Sequence, residues 1–111
     1  MVLFIFTKNG MPKIFEYIGY ILFFYSNEHE PMHVHVQYGE FQSKIDLIFE
    51  NGRLKTIIYK IVKGYKPIPA RREREINKFL RKYHQQIIDK WTDFFILHRK
   101  PKFERVTKRI K

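Results

Sequence analysis

The sequence contains no cysteine. This absence excludes a disulfide framework, thiolate catalysis and zinc sites with thiolate ligands, and it favours a cytoplasmic protein. Long apolar runs are missing too, because the longest, Ile18–Tyr25, is far shorter than the roughly 20 residues that span a bilayer. No small-residue cleavage site follows this run. We therefore expect a cytoplasmic protein with neither a secretory signal nor a membrane segment.

The sequence does contain enough apolar residues for one compact domain. Its 111 residues are 44% hydrophobic and 17% aromatic, a composition too apolar for a disordered chain. It carries no internal repeat, no low-complexity tract and no signature of the common nucleic-acid-binding folds. Its function therefore has to be sought in particular residues.

The charge is strongly positive and unevenly distributed. Lys and Arg number 22 against 11 acidic residues, and the last thirteen residues hold seven basic residues and one acidic residue. Such a balance favours a polyanionic partner, which could be a nucleic acid, an acidic protein or a membrane surface. A tail that only increases solubility is the alternative.

Two turn signals predict a β-meander in the middle of the chain. Gly39-Glu40 suits a two-residue type II′ turn, and Asn51-Gly52 suits a type I′ turn. The predicted cross-strand pairs are Tyr38–Phe41, Val36–Ser43 and Val34–Ile45 in the first hairpin, and Phe49–Leu54, Leu47–Thr56 and Ile45–Ile58 in the second.

Side-chain alternation along these strands gives the predicted sheet two different faces. The apolar core face comprises Val34, Val36, Tyr38, Phe41, Ile45, Leu47, Phe49, Leu54 and Ile58. The other, which we call the histidine face, comprises His33, His35, Gln37, Gln42, Lys44 and Asp46. In this register His33 lies opposite Asp46, and His35 lies opposite Lys44.

A long helix is predicted after the proline-containing connection at residues 64–70. Apolar residues recur at three- and four-residue steps from Ile76 to His98, so one side of a helix of about 27 residues should cover the core face. His98 is expected to be a core or helix-end residue. Lys90 and the other basic residues of the helix are assigned to solvated positions.

The expected fold class is α+β: an antiparallel β-meander of four or five strands with one long C-terminal helix packed on one face. A single domain should span residues 1–98, with its core at 11–98, and a basic, extended tail should follow at 99–111. Residues 1–10 form either an extra strand or a leader that precedes a start at Met11.

Three histidines occur close together in the pattern His29-x3-His33-x-His35. Histidine titrates near neutrality, so it can serve as an acid, a base or a metal ligand. Cleavage of RNA through its 2′-hydroxyl needs a base, an acid and a cation that stabilises the phosphorane, and it needs no metal. The candidate catalytic residues are Tyr25, His29, His33, His35, Lys44 and Asp46, with Tyr59 as a further neighbouring group.

Each of these residues has an expected role. His33 would be the acid or base that Asp46 orients, and His35 would be the complementary group. Lys44 would stabilise phosphate charge. No cofactor is expected, but a divalent metal ion bound by His29, His33 and His35 is an alternative, since two histidines at i and i+2 on a strand point the same way. Asp46 could supply the third ligand in place of His29.

A non-catalytic module that binds a nucleic acid or a protein is the main alternative to catalysis. The basic helix and tail would then bind the phosphates of a nucleic acid, expected to be RNA, and the histidines would matter little. A third alternative is that His33 and His35 are buried, hydrogen-bonded structural residues. The predicted nucleic-acid-binding residues are Arg71, Arg72, Arg74, Lys78, Arg99, Lys100, Lys102, Arg105, Lys108 and Arg109.

Several residues of the chain match the signature sequence pattern of one protein family, position by position. They are Met11, Pro12, Glu28, His29, Pro31, His33, His35, Tyr38, Gly39 and Asp46, followed by a helix like Ile76–Trp91 with a Trp near its end. In these residues the chain resembles a bacterial family catalogued as domain of unknown function 4160, over about residues 11–98. It departs from the family in the ten residues before Met11, in Met32 after Pro31, and in its more basic tail.

The resemblance implies a partner rather than a reaction. Members of this family are often encoded beside a second small domain of unknown function, in an arrangement that looks like a toxin–antitoxin pair. The resemblance therefore implies a component of a toxin–antitoxin-like module with a cognate small protein partner. It does not indicate which member of the pair this chain would be.

Overall fold

The computed structural model describes residues 11–25 and 32–111. The alternatives for residues 1–10 therefore lie outside the described residues. The fold is α+β, as predicted, and none of the helices described is long and apolar enough to cross a membrane. The elements are β1 (Lys13–Tyr17), β2 (Tyr20–Phe23), β3 (His33–Tyr38), β4 (Phe41–Glu50), β5 (Arg53–Ile61), α1 (Ala70–Trp91), a π-helical turn (Thr92–Ile96) and β6 (Glu104–Val106).

The six described strands form one mixed sheet with the order β5-β4-β3-β2-β1-β6. Neighbouring strands are antiparallel, except that β6 runs parallel to β1. The predicted antiparallel meander of four or five strands is therefore wrong in its strand number and in its direction at one edge. The additional strand comes from the tail, where a three-residue strand among basic residues carries no apolar alternation that could have revealed it.

The first hairpin has the predicted turn and the predicted register. Gly39 has a φ of 60°, as the first position of a type II′ turn requires. The three predicted pairs between β3 and β4 are all present, and so are His33–Asp46 and His35–Lys44. The composition of the histidine face along β3 and β4 is thereby confirmed.

The second hairpin departs from the predicted register after one pair. Asn51 and Gly52 both have positive φ, 54° and 77°, as a type I′ turn requires. A β-bulge then shifts the following residues of β5 by one position and inverts their faces, so Ile58 lies off the core face and is 38% exposed. The observed pairs are Phe49–Leu54, Leu47–Ile57 and Ile45–Tyr59, whereas the second and third were predicted as Leu47–Thr56 and Ile45–Ile58.

The long helix packs on the core face, as predicted. It begins directly after Pro69, and its 22 residues together with the five of the π-helical turn equal the predicted length. The ring of Phe79 stacks on Tyr17 at a centroid distance of 4.7 Å and meets Phe15 edge-on at 5.1 Å. His98 lies just beyond the helical turn, where it is exposed and has a φ of 55°.

Lys90 is buried, although a solvated position was predicted for it. Its Nζ donates hydrogen bonds to the carbonyl oxygen of Lys102 (2.7 Å) and to Oε1 of Glu104 (2.6 Å). A buried ammonium group needs such partners, and here the tail supplies them. Farther along, the backbone N–H of Ile110 donates to the hydroxyl of Tyr17 at 2.9 Å. The tail is therefore packed against the sheet.

Candidate functional site

The histidine face lies on the side of the sheet opposite α1, and its two histidines are buried. His35 is 1% exposed, and its ring stacks on Tyr25 at a centroid distance of 3.9 Å and on Phe23 at 5.4 Å. The amide of Gln42 donates to the hydroxyl of Tyr25 at 2.8 Å, and its nitrogen lies 3.5 Å from Nδ1 of His35. Tyr25 and His35 are thus brought together in an aromatic stack. The catalytic roles proposed for them stay predictions.

His33 lies at the wall of a surface pocket of about 570 Å³. It is 6% exposed, and its ring is 5.9 Å from the ring of His35. Across the pocket, the carboxylate of Asp46 accepts a salt bridge from Nζ of Lys60 at 2.6 Å. The described residues that line the pocket are Met32, His33, Lys44, Asp46, Leu47, Ile48, Phe49 and Lys60. This pocket therefore combines one imidazole, one carboxylate and two ammonium groups.

Lys60 is the residue of this pocket that the sequence analysis missed. In the predicted register its side chain would have pointed to the core face, but the bulge pairs it with Lys44 on the histidine face. The same bulge turns Tyr59 toward α1, where its hydroxyl donates to Oδ1 of Asn77 at 2.7 Å. Burial raises the pKa of Tyr59 far above its ordinary value. Tyr59 therefore does not belong to the histidine face, and its prediction as a neighbouring catalytic group is wrong.

The metal alternative receives no support from the part of the chain that the structure describes. Within residues 11–25 and 32–111, no three His, Asp or Glu side chains come together as metal ligands would. His29, which is the third predicted ligand and a predicted catalytic residue, lies outside the described residues. The alternative of a divalent metal ion stays a prediction.

A second site, which we call the arginine pocket, lies where the start of α1 meets the end of the tail. It has a volume of about 430 Å³. The described residues that line it are Arg71, Arg72, Arg74, Glu75, Lys78, Arg109 and Ile110. Five of the ten predicted nucleic-acid-binding residues are therefore brought to one place, with a single acidic residue among the described lining residues.

Contacts with buried Tyr20 and half-buried Tyr38 hold the side chains of the arginine pocket in place. Glu75 accepts a hydrogen bond from the hydroxyl of Tyr20 at 2.6 Å and forms a salt bridge with Arg109. The guanidinium of Arg72 lies 4.6 Å from the ring centroid of Tyr38, and a side-chain hydrogen bond with Tyr20 raises the pKa of Arg72 above its ordinary value. Arginine forks held in this way present donors in a fixed geometry, which suits the oxygen atoms of a phosphate.

The other predicted basic residues lie in the tail. Arg99, Lys100 and Lys102 line a third pocket at its beginning. Arg105 lies on β6, where its Nε is 3.1 Å from Oε1 of Glu16. Lys108 is exposed. The tail thus carries a row of cations that ends at the arginine pocket, and each of the ten predicted residues lies on α1 or on this row.

A family model described as "Domain of unknown function (DUF4160)" matches residues 19–92. The matched segment contains β2 to β5 and all of α1, and therefore the histidine face and the helical side of the arginine pocket. Neither a curated protein nor a solved structure matches the chain. Because the family model covers about two thirds of the sequence, the protein belongs to the DUF4160 family.

Proposed function

We propose that this protein binds RNA through a basic surface formed by the start of α1 and the C-terminal tail, as a component of a toxin–antitoxin-like module. One observation carries the proposal. Arg109, close to the end of the chain, shares one pocket with Arg71, Arg72, Arg74 and Lys78 of the helix. Glu75 compensates only one of these five positive charges, and a bound polyanion would relieve the repulsion among the others.

A chain of phosphates fits this surface better than an isolated carboxylate does, because its charges reach several cations at once. Arginine binds the oxygen atoms of a phosphate in a bidentate manner, and the row of cations along the tail extends the site beyond one anion. A polyanion with regularly spaced charges therefore uses the whole surface. Such binding releases counterions, so its affinity falls steeply with salt.

Fluorescence anisotropy with a labelled RNA over a range of salt concentrations tests this proposal. The test variant replaces Arg71, Arg74 and Lys78 with Ser. All three side chains are exposed, so the fold should persist. The control variant replaces Arg53, Lys63 and Lys82 with Ser, which are also exposed and give the same change in net charge. The plot of the logarithm of the association constant against the logarithm of the salt concentration has a negative slope, and we expect the magnitude of this slope to decrease by about 2 in the test variant. Each phosphate contact contributes roughly 0.7 to that magnitude for a single strand.

The comparison between the two variants decides the result. Equal losses in both would mean that net charge alone attracts RNA and that the arginine pocket is no site. Absence of salt-dependent binding by the wild-type protein would refute RNA binding altogether. A DNA of the same sequence measures whether the ribose is recognised, since phosphate contacts alone do not distinguish the two nucleic acids.

Cleavage of RNA is a second candidate function, favoured by the pocket beside His33. There Lys44 and Lys60 would bind the phosphate while His33 takes the proton of the 2′-hydroxyl. The 2′-oxygen forms its bond to phosphorus as the bond from phosphorus to the 5′-oxygen breaks, and the protonated His33 or a solvent water gives the leaving oxygen its proton. The carboxylate of Asp46 forms a salt bridge with Lys60 and would hold the ammonium group of Lys60 in place beside His33.

Incubation of purified protein with RNA in excess EDTA tests this candidate. Wild type should cleave RNA and leave DNA intact, and His33→Asn should lose at least about 100-fold in rate. His84→Asn on α1 is the control and should keep the wild-type rate. Lys60→Gln, at a side chain 53% exposed, tests the same pocket without a change in the buried histidine. An intact RNA after incubation with wild type, or equal cleavage by His33→Asn and wild type, would eliminate this candidate.

A further inference from the structure

A large cavity lies at the other end of the basic tail, and we call it the aromatic pocket. Its volume is about 870 Å³, within the range of about 300–1,000 Å³ that is usual for small-molecule sites. The described residues that line it are Met11, Pro12, Lys13, Phe94, His98, Arg99, Lys100, Pro101, Lys102 and Phe103. Apolar side chains and prolines thus share it with four Lys and Arg side chains, and no acidic residue occurs among these lining residues.

Backbone contacts fix the wall of this pocket. The N–H of Leu97 donates to the carbonyl of Thr92 at 3.0 Å, and the N–H of Arg99 donates to the carbonyl of Asp93 at 2.7 Å. Both acceptors belong to the π-helical turn, an irregular helix geometry that is frequent at functional sites. On the other side, buried Lys90 holds the carbonyl of Lys102. The segment between these anchors is therefore positioned before any ligand arrives.

Phe103 is the exposed aromatic side chain of this pocket. It is 39% exposed, whereas Phe94 is half-buried against Phe24 and Phe95. The guanidinium of Arg105 lies 5.7 Å from the ring centroid of Phe103, within cation–π distance. An exposed ring beside several cations is the arrangement by which proteins bind unpaired nucleotides: the base stacks on the ring and the phosphates meet the cations.

We propose that the aromatic pocket binds an unpaired nucleotide of a single-stranded RNA, with its base stacked on Phe103 and its phosphates against Arg99, Lys100 and Lys102. This inference rests on the proposed RNA binding and specifies its substrate as a single strand. A duplex keeps its bases stacked inside and cannot insert one here without unpairing.

The position of the pocket favours an RNA over an acidic peptide. The tail leads from Lys102 to Arg109 at the arginine pocket, a path of at most about 25 Å in an extended chain. It carries Arg105 and Lys108 on the way. An RNA strand would use both pockets and the cations between them, whereas a peptide with one apolar anchor would use only the aromatic pocket.

Fluorescence anisotropy with three labelled oligonucleotides tests the inference. They are a single-stranded RNA of about 12 nucleotides, within the length range of known single-strand sites, the same strand in a duplex, and an abasic strand with the same phosphates. The variants are Phe103→Ala, Phe103→Trp and the control Ile61→Ala, which removes an apolar side chain 76% exposed on β5. Circular dichroism checks that each variant is folded.

We expect the single strand to bind wild type about tenfold more tightly than the abasic strand does, since stacking of one base gives about that factor. Phe103→Ala should remove this advantage and leave the affinities for the duplex and the abasic strand unchanged. Phe103→Trp should keep or increase it, and Ile61→Ala should have no effect.

Three other results would overturn the inference. In the first, the single and abasic strands bind equally, Phe103→Ala has no effect, and binding still depends on salt. This result would refute base stacking on Phe103 and would leave the proposed RNA binding intact. Binding of no oligonucleotide would remove both. If wild type instead bound a labelled Glu- and Phe-containing peptide, and Phe103→Ala did not, the pocket would be a docking site for an acidic protein.

Discussion

Gly19 lies at a backbone position where any side chain meets two separate costs. Its φ of 96° falls in a region that L residues rarely adopt, and a Cβ atom there would lie 3.2 Å from Cε1 of Tyr38. The ring of Tyr38 has little room to move, because Tyr20 lies 4.7 Å away and the guanidinium of Arg72 lies 4.6 Å away. Gly19 lies in the turn between β1 and β2, and Arg72 also lines the arginine pocket. Through Tyr38, this turn therefore contacts a residue of the proposed RNA surface.

Gly19→Ala is therefore expected to destabilise the protein more than a glycine substitution that brings backbone strain alone. Gly64→Ala is the matched control, because Gly64 has a φ of 91° and no atom within 4 Å of an added Cβ. The control should lower the free energy of unfolding by about 1–2 kcal/mol. Gly19→Ala should lower it by about 1 kcal/mol more, through overpacking against Tyr38. Urea denaturation measures both, and equal losses would show that the contact with Tyr38 has no cost.

The directions of the site residues were predicted outright, whereas the burial of His33 and His35 was predicted only by the structural alternative. His33 and His35 face the same side as Lys44 and Asp46 because alternation and one glycine turn fix the register of β3 and β4. The burial of His35 depends on Tyr25 and on neighbouring β2. Nine residues separate the end of β2 from the start of β3, so the sequence offers no two-residue turn that would predict this pairing.

The β-bulge in β5 shows how one irregular position changes the composition of a site. Lys55 and Thr56 are adjacent polar residues that interrupt the period-two alternation of β5, and the register shifts at this point. Beyond it, Tyr59 faces α1 and Lys60 faces the histidine face. The interrupted alternation was the sequence signal for the bulge. The predicted register was extended from the turn at Asn51-Gly52 alone, so it did not contain the bulge.

The helix was predicted with more success because its periodicity extends over many turns. Ile76, Phe79, Leu80 and Ile87 are fully buried, as the apolar stripe indicates. Lys90 is buried although it is charged, and the apolar stripe does not predict this, because its hydrogen-bond partners are Glu104 and the carbonyl of Lys102 in the tail. A helical pattern describes one element and cannot include a contact with a segment that packs on it later in the chain.

The tail is the part of the protein for which composition gave the least guidance. Its basic residues predicted a segment that binds phosphates, and that assignment stays a proposal. The structure places Glu104–Val106 of this segment in an edge strand of the sheet, with Pro101 buried and with Val106 and Ile110 packed against the core. Deletion of residues 99–111 therefore removes structure as well as charge, and it cannot by itself measure the contribution of the charges to RNA binding.

Two variants of the tail separate these contributions. Deletion of residues 99–111 removes the partners of the Lys90 ammonium group, buried Pro101 and the core contacts of Val106 and Ile110, and we expect it to lower the free energy of unfolding by more than about 3 kcal/mol. That loss corresponds to a fall in Tm of more than about 10 °C. In the second variant, Ser replaces the four exposed lysines of the tail, Lys100, Lys102, Lys108 and Lys111.

The serine variant keeps Pro101, Glu104 and Ile110, and with them the contacts that hold the tail to the sheet. Its Tm should therefore stay within about 2 °C of wild type, because exposed charges contribute little to stability. Its affinity for RNA should nevertheless fall, with a shallower salt slope. Scanning calorimetry and anisotropy on the same samples measure both quantities. A deletion variant as stable as wild type would contradict the structural role of the tail, and a serine variant that binds RNA like wild type would contradict its role in the RNA surface.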